Sequence, residues 1–160
     1  MTMGMTMGIP LDRRRVLAGA AGTALAVALR PAHASPLPRT ETTASAIRRF
    51  AGTAEIRPGR VALDLPPLVE NGNTVPLSVT VESPMTPGDH VRRIGVFNER
   101  NPQPNVVTVH LHPGAGRAQV STRIRLADTQ RITAIAEMSD GSYWSASADA
   151  IVTLAACLEG

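Results

Sequence analysis

Ile132-Thr133-Ala134-Ile135-Ala136-Glu137-Met138-Ser139-Asp140-Gly141-Ser142-Tyr143-Trp144-Ser145-Ala146-Ser147-Ala148 reads as one hairpin. Side chains of an extended chain alternate between faces, so Ile132, Ala134, Ala136 and Met138 share one side. Asp140-Gly141 is a two-residue turn signal that pairs Ile132–Met138 with Tyr143–Ala148. The same period of two recurs on the N-terminal side. Val120, Thr122, Ile124 and Leu126 alternate with Ser121, Arg123 and Arg125. Val107, Val109 and Leu111 alternate with Thr108, His110 and His112, and Val91 to Phe97 is a further strand. Asn71-Gly72-Asn73 makes a turn ahead of Val75, Leu77, Val79 and Val81. Pro76 lacks an N–H and favours a sheet edge or a strand start. Val61, Leu63 and Leu65 alternate until Pro66-Pro67 stops them. Ile151 to Leu154 either finishes the sheet or continues the previous strand past a bulge. About seven short strands with turns roughly every 8 to 12 residues predict an all-β, two-sheet antiparallel sandwich. A short helix over Thr42 to Ala51 precedes it. Thr42 or Thr43 caps this helix, Ala44, Ile47 and Ala51 share a face, and Gly52 ends it.

The chain has 160 residues, enough for one domain with little room for a second. Hydrophobic residues make up 43%, which argues against a disordered chain. One Cys excludes an internal disulfide framework and an all-Cys metal site. Aromatics at 2% argue against a surface that stacks nucleobases. All 16 basic side chains are Arg, against 13 acids. Four of these (Arg13, Arg14, Arg15 and Arg30) and only Asp12 among the acids fall in residues 1–34, so the rest holds 12 Arg and 12 acids. A neutral body carries no electrostatic footprint for nucleic acid.

Residues 1–34 have the three-part order of an export signal. Asp12-Arg13-Arg14-Arg15-Val16-Leu17 opens it, an uncharged small and apolar run follows to Leu29, and Ala32-His33-Ala34 offers a small-x-small cleavage site. The run of 14 residues from Val16 is shorter than the about 20 that a bilayer requires, so no membrane anchor is expected. Arg13 and Arg14, with the apolar residue and Leu behind them, resemble the twin-arginine motif. Export to a bacterial periplasm follows, with the mature chain starting near Ser35. The expected organisation is a signal peptide (1–34), a linker (35–41), a β-sandwich (42–154) and a C-terminal arm (155–160).

The candidate chemistry is sparse. Cys157 follows the last strand, near the end of the sequence. A thiolate presented there is a working nucleophile, and the alternative is an incidental thiol tucked against the sandwich edge. His110 and His112, on one side of a strand, are a two-point metal grip lacking a third ligand; His90, Met85 and Cys157 are the candidates, and a solvated polar face is the simpler account. Arg123 and Arg125 share a face that fits salt bridges to acids, with receipt of an oxyanion as the second reading. Trp144 belongs in the core or at a partner surface. The Gly-Ala-Gly at 114–116 is a turn without the strand–helix setting of a phosphate loop. No nucleophile elbow or paired-carboxylate setting stands out, and no catalytic residue is assigned.

Several separated segments resemble the SoxY sulfur-carrier family. They are Leu65-Pro66-Pro67-Leu68-Val69-Glu70-Asn71-Gly72-Asn73-Thr74-Val75-Pro76, Val81-Glu82-Ser83-Pro84-Met85, Phe97-Asn98-Glu99-Arg100-Asn101-Pro102, Ser121-Thr122-Arg123-Ile124-Arg125-Leu126-Ala127 and Ala136-Glu137-Met138-Ser139-Asp140-Gly141-Ser142-Tyr143-Trp144. The likeness runs from about Ile47 to the C-terminus. It implies an immunoglobulin-like sandwich paired with a SoxZ-like protein in a periplasmic thiosulfate-oxidising system. The chain would be a carrier without catalytic activity or cofactor. Cys157 would bind sulfur covalently and visit a haem-bearing thiosulfate-coupling enzyme, a sulfate-releasing hydrolase and a sulfane dehydrogenase. The family tail places glycines on both sides of the Cys, whereas this chain reads Ala155-Ala156-Cys157-Leu158-Glu159-Gly160. That departure keeps open a scaffold or binding module of the same fold with a spare thiol.

Overall fold

The computed structural model describes residues 41–156. The leader with Arg13 and Arg14, the Pro36 to Pro38 linker and Cys157 lie outside the described residues. In chain order the elements are α1 (Thr43–Ala51), β1 (Ile56–Pro58), β2 (Val61–Asp64), β3 (Leu68–Val69), β4 (Val75–Val81), β5 (Val91–Asn98), β6 (Asn105–His110), β7 (Gln119–Ile124), β8 (Gln130–Met138) and β9 (Tyr143–Val152). The larger sheet runs β1-β9-β8-β5-β6, with β3 also on β9, and the smaller runs β2-β4-β7. β9 is continuous through Val152, without the bulge that the sequence left open.

The strands that show period two all form, and their pairing is antiparallel. β1 and β3 depart from the antiparallel expectation. Each pairs parallel with β9, at Ile56↔Tyr143 and Leu68↔Ile151. They have three and two residues and are bounded by prolines, too short to show an alternation. In sequence they are lost among Pro58, Pro66 and Pro67; in space they cover the free edge of the ten-residue β9. Pro76 lies in the central strand of the small sheet. β2 reaches only Ser78 to Val81 of β4, so beside Pro76 the flank away from β7 meets no strand.

The two sheets enclose one core. Val75, Leu77, Val79, Val81 and Ile124 of the small sheet meet Ile94, Val96, Ile132, Ala134, Ala136 and Met138 of the large one. A second cluster lies on the outer face of the large sheet, where α1 packs: Ala46, Phe50 and Ala51 against Phe97 and Ile135. This explains why β5 is buried on both faces from Ile94 to Asn98. Thr42 caps α1 by accepting a bond from Ser45 N at 3.1 Å, and Gly52 ends it. The buried face differs from the expected one, since Ala44 is exposed and Ile47 only partly covered. Phe50 sets the rotation. It meets Phe97 edge to face at 5.5 Å and Tyr143 at 6.2 Å, while the Arg93 guanidinium covers its ring at 4.2 Å. Arg93 also donates to Phe50 O at 2.7 Å and pairs with Glu137, tying helix to sheet.

The β8–β9 turn is one residue longer than expected. Gly141 N donates to Met138 O at 3.0 Å and Met138 N to Ser142 O at 2.9 Å, which leaves three loop residues. Gly141 has φ 82°, the left-handed position of such a loop. The Asp140 carboxylate accepts from Ser142 Oγ at 2.7 Å and Ser142 N at 2.8 Å. These bonds hold its pKa below the ordinary carboxylate value, against a small opposing effect of burial. A carboxylate lowered in this way stabilises the fold above its unfolded-state pKa, and the contribution disappears as pH falls through the folded value. Asp140→Ala should therefore lower the urea midpoint at pH 7, and the gap from the parent should narrow by pH 2.5. A gap that stays constant across this range would show that the carboxylate charge plays no part.

Candidate functional site at the root of the C-terminal tail

Beyond β9 the chain remains bonded as far as it is described. Thr153 N donates to Val69 O at 3.0 Å. Gly72 N donates to Leu154 O at 2.8 Å, Leu126 N to Gly72 O at 2.8 Å, and Ala156 N to Leu126 O at 3.0 Å. Three distant segments thus meet through main-chain bonds, with Gly72 at the centre. A Cβ on Gly72 would lie 2.4 Å from Leu126 O and 2.8 Å from Ala156 N, so only glycine admits this approach. Asn71 Oδ1 accepts from Asn73 N at 3.0 Å and shapes the turn that presents Gly72. Ala156 is buried. The segment read as an arm from residue 155 is therefore docked through Ala156, and Cys157 is the next residue. The sequence showed Asn71-Gly72-Asn73 as a turn but not its partner, because the contacts to Leu126 and Leu154 span more than 50 residues.

Beside Leu126, a cleft of about 380 Å³ lies between β6 and β7. Arg123, Arg125, Gln103, Asn105 and Val107 are among its lining residues. Both arginines are exposed, and neither pairs with an acid among the described residues, so the salt-bridged face expected there does not form. A second groove of about 660 Å³ lies over the outer face of the small sheet, with Asp64, Ser78, Ser121 and Arg123 among its lining residues.

The two-histidine grip does not form. β6 ends at His110, which is exposed, and His112 lies beyond it. His112 Nδ1 accepts from Gly114 N at 3.1 Å and caps a turn of 3-10 helix over Pro113–Ala115, which uses the side chain locally. His90 Nδ1 lies 3.2 Å from Thr86 O, and Met85 is buried. Among the described residues no group of three His, Cys, Asp or Glu is placed to hold a metal ion. Trp144 is half-buried at the rim of the inter-sheet core. Its Nε1 donates to Ser142 Oγ at 3.1 Å, and Arg57 and Arg60 approach the ring at 5.4 and 5.7 Å.

Sequence reasoning also missed a polar network. Asn98 is fully buried; its Oδ1 accepts from Asn101 N at 2.9 Å and its Nδ2 donates to Gln103 O at 2.9 Å. Asn101 Oδ1 accepts from Ala127 N at 3.0 Å and Gln130 Nε2 at 2.9 Å, while its Nδ2 donates to Arg125 O at 2.8 Å. The network joins the β5–β6 loop to the stretch Arg125 to Ala127. That stretch includes Leu126, which anchors the tail.

Fold and site together define a small two-sheet β protein whose tail is rooted on its body. The family model described as "Sulfur oxidation protein SoxY" matches residues 47–157. The chain belongs to the SoxY family. Among solved structures it is similar to the sulfur carrier protein SoxY from Chlorobium limicola f thiosulfatophilum. That likeness has 26% identity and a TM-score of 0.59, and it covers 69% of this chain and 96% of that one. A superoxide reductase (neelaredoxin) from Ignicoccus hospitalis shares the fold at 19% identity and TM-score 0.53, over 59% of this chain and 80% of that one. A putative superoxide reductase from Thermotoga maritima does so at 21% and 0.51, over 64% and 89%. No curated protein matches the chain.

Proposed function

We propose that this protein is a covalent sulfur carrier of a periplasmic thiosulfate-oxidising system, with Cys157 as the attachment point. The reading is supported most by a family match that extends through Cys157, the residue after the last docked position of the tail. The likeness to a solved sulfur carrier protein adds to it. The body, read as immunoglobulin-like, serves as the handle, with a SoxZ-like protein as its stable partner. The Arg13-Arg14 leader fits twin-arginine export to the periplasm.

The chemistry balances as follows. The Cys157 thiol and thiosulfate lose two electrons to a haem-bearing partner, forming a sulfur–sulfur bond and releasing one proton; the product is Cys157–S–S–SO3⁻. A hydrolase partner then adds water across the terminal S–SO3⁻ bond, releasing sulfate and a proton and leaving the persulfide. A sulfane dehydrogenase acts on the sulfur that remains. The chain catalyses none of these steps. Tethering keeps reactive sulfur out of bulk solution and makes each docked step intramolecular in effect.

The test is the intact mass of the mature protein after incubation with thiosulfate, its SoxZ-like partner and a haem-bearing coupling enzyme. A thiosulfonate adduct is expected on the parent and absent from Cys157→Ser. A parent that stays unmodified under these conditions would leave the scaffold reading in its place.

A further inference from the structure

We propose that Arg123 and Arg125 make the cleft between β6 and β7 a site for a tetrahedral sulfur oxyanion. The anionic group comes from free thiosulfate or sulfate, or from the –SO3⁻ end of an adduct on Cys157. The second source rests on the carrier reading; the first does not.

The two arginines are two residues apart, Arg123 in β7 and Arg125 just past its end, and both line the cleft. Among the described arginines, Arg49, Arg57, Arg60, Arg92, Arg93 and Arg131 pair with a carboxylate, while Arg48, Arg100 and Arg117 do not and stand outside the cleft. Arg123 and Arg125 have no such partner among the described residues, and no acid lines their cleft. Two uncompensated cations in a concave seam concentrate anions, and the guanidinium fork matches the paired oxygens of a sulfur oxyanion. Gln103 and Asn105 add neutral polar residues to the lining, while Ile124 and Val107 add apolar ones. The volume of about 380 Å³ admits a small oxyanion together with water.

The position ties the cleft to the tail. Leu126 directly follows Arg125 and accepts the Ala156 N–H, and Cys157 comes next, with its Cα about 3.8 Å from that of Ala156. Ala156, the residue before that thiol, is thus bonded to the residue that follows Arg125. Holding an adduct's sulfonate in the cleft would shield it between enzymes.

The experiment has two arms. In the first, Cys157→Ser protein is titrated with thiosulfate at constant ionic strength, and backbone amide shifts are followed. Saturable shifts at Gln103, Asn105, Arg123 and Arg125 are expected. The apparent Kd should rise at least tenfold in Arg123→Gln/Arg125→Gln and stay unchanged in Arg117→Gln, an exposed arginine outside the cleft. Unsaturable shifts, or equal affinity in both variants at equal thermal stability, would overturn the site. In the second arm, the Cys157 adduct is challenged with dithiothreitol. It should survive at least several times longer on the parent than on the double variant, and equal lifetimes would overturn the tethered source. If no adduct forms at all, the carrier reading fails, and the first arm still decides the cleft.

Discussion

Gly72→Ala should uncouple the tail from the body and lower stability by roughly 3 kcal/mol. A methyl group at Gly72 meets Leu126 O at 2.4 Å and Ala156 N at 2.8 Å, both main-chain atoms that no rotamer change can move aside. Relief requires the turn to withdraw, and withdrawal breaks Gly72 N–Leu154 O, Leu126 N–Gly72 O and indirectly Ala156 N–Leu126 O. Each bond is worth about 1 kcal/mol net, and a buried group left unpaired costs about 1–3 kcal/mol. The entropy that alanine removes from the unfolded chain offsets less than about 1 kcal/mol. Gly88→Ala is the control, because a Cβ there meets nothing within 4 Å, and its urea midpoint should stay near the parent value. Hydrogen exchange supplies the local readout. In Gly72→Ala the amides of Leu126 and Ala156 should exchange much faster than those of Ile94 or Ile132 in the core. Protection of Ala156 equal to the parent's would show that the junction tolerates a side chain and that the tail is held by other contacts.

The same junction shows where sequence reading stops. The strands of the sandwich were legible because burial on one face imposes period two; Val75 to Val81 keeps that period without interruption, and Ile132 to Met138 departs from it only at Ile135, which α1 covers. β1 and β3 were not legible, since strands of three and two residues have no period and are specified by the edge of β9. The helix face was misplaced because the reading ran through Ala44, Ile47 and Ala51 and passed over Phe50. In the fold, one aromatic ring against Phe97 and Tyr143 fixes the rotation. At the candidate site, Cys157 stood out by composition alone, while the cleft did not. Alternation placed Arg123 and Arg125 on one face but carried no information about which carboxylates lie nearby. His110 and His112 fit a metal grip by spacing, yet the end of β6 separates them and a local cap uses His112.

Asn98→Leu is the second large effect, expected to cost about 2–5 kcal/mol despite similar volume and greater hydrophobicity. Asn98 is fully buried, with both ends of its side-chain amide committed to main-chain partners, Asn101 N and Gln103 O. Leucine leaves that donor and that acceptor without partners in a site closed to water, where an orphaned polar group costs most. The loss then spreads. Asn101, no longer held at its own N–H, also serves Ala127 N, Gln130 Nε2 and Arg125 O. Networks of this kind fail by more than the sum of their bonds, because each member positions the next. Asn98→Asp separates the hydrogen-bond account from simple packing. It keeps the acceptor for Asn101 N but loses the donor to Gln103 O, so its urea midpoint should fall below the parent. Like Asn98→Leu, it should expose the 98–104 loop to proteolysis. If Asn98→Leu matched the parent in midpoint and protease resistance, the network would be incidental, and the loop that lines the arginine cleft would owe its shape to Pro102 and Pro104 instead. The expected result ties the cleft, the strand end that anchors Ala156 and the buried amide into one unit. Damage at Asn98, which itself lines the cleft and reaches Arg125 O through Asn101, should then appear as weaker thiosulfate shifts at Arg125.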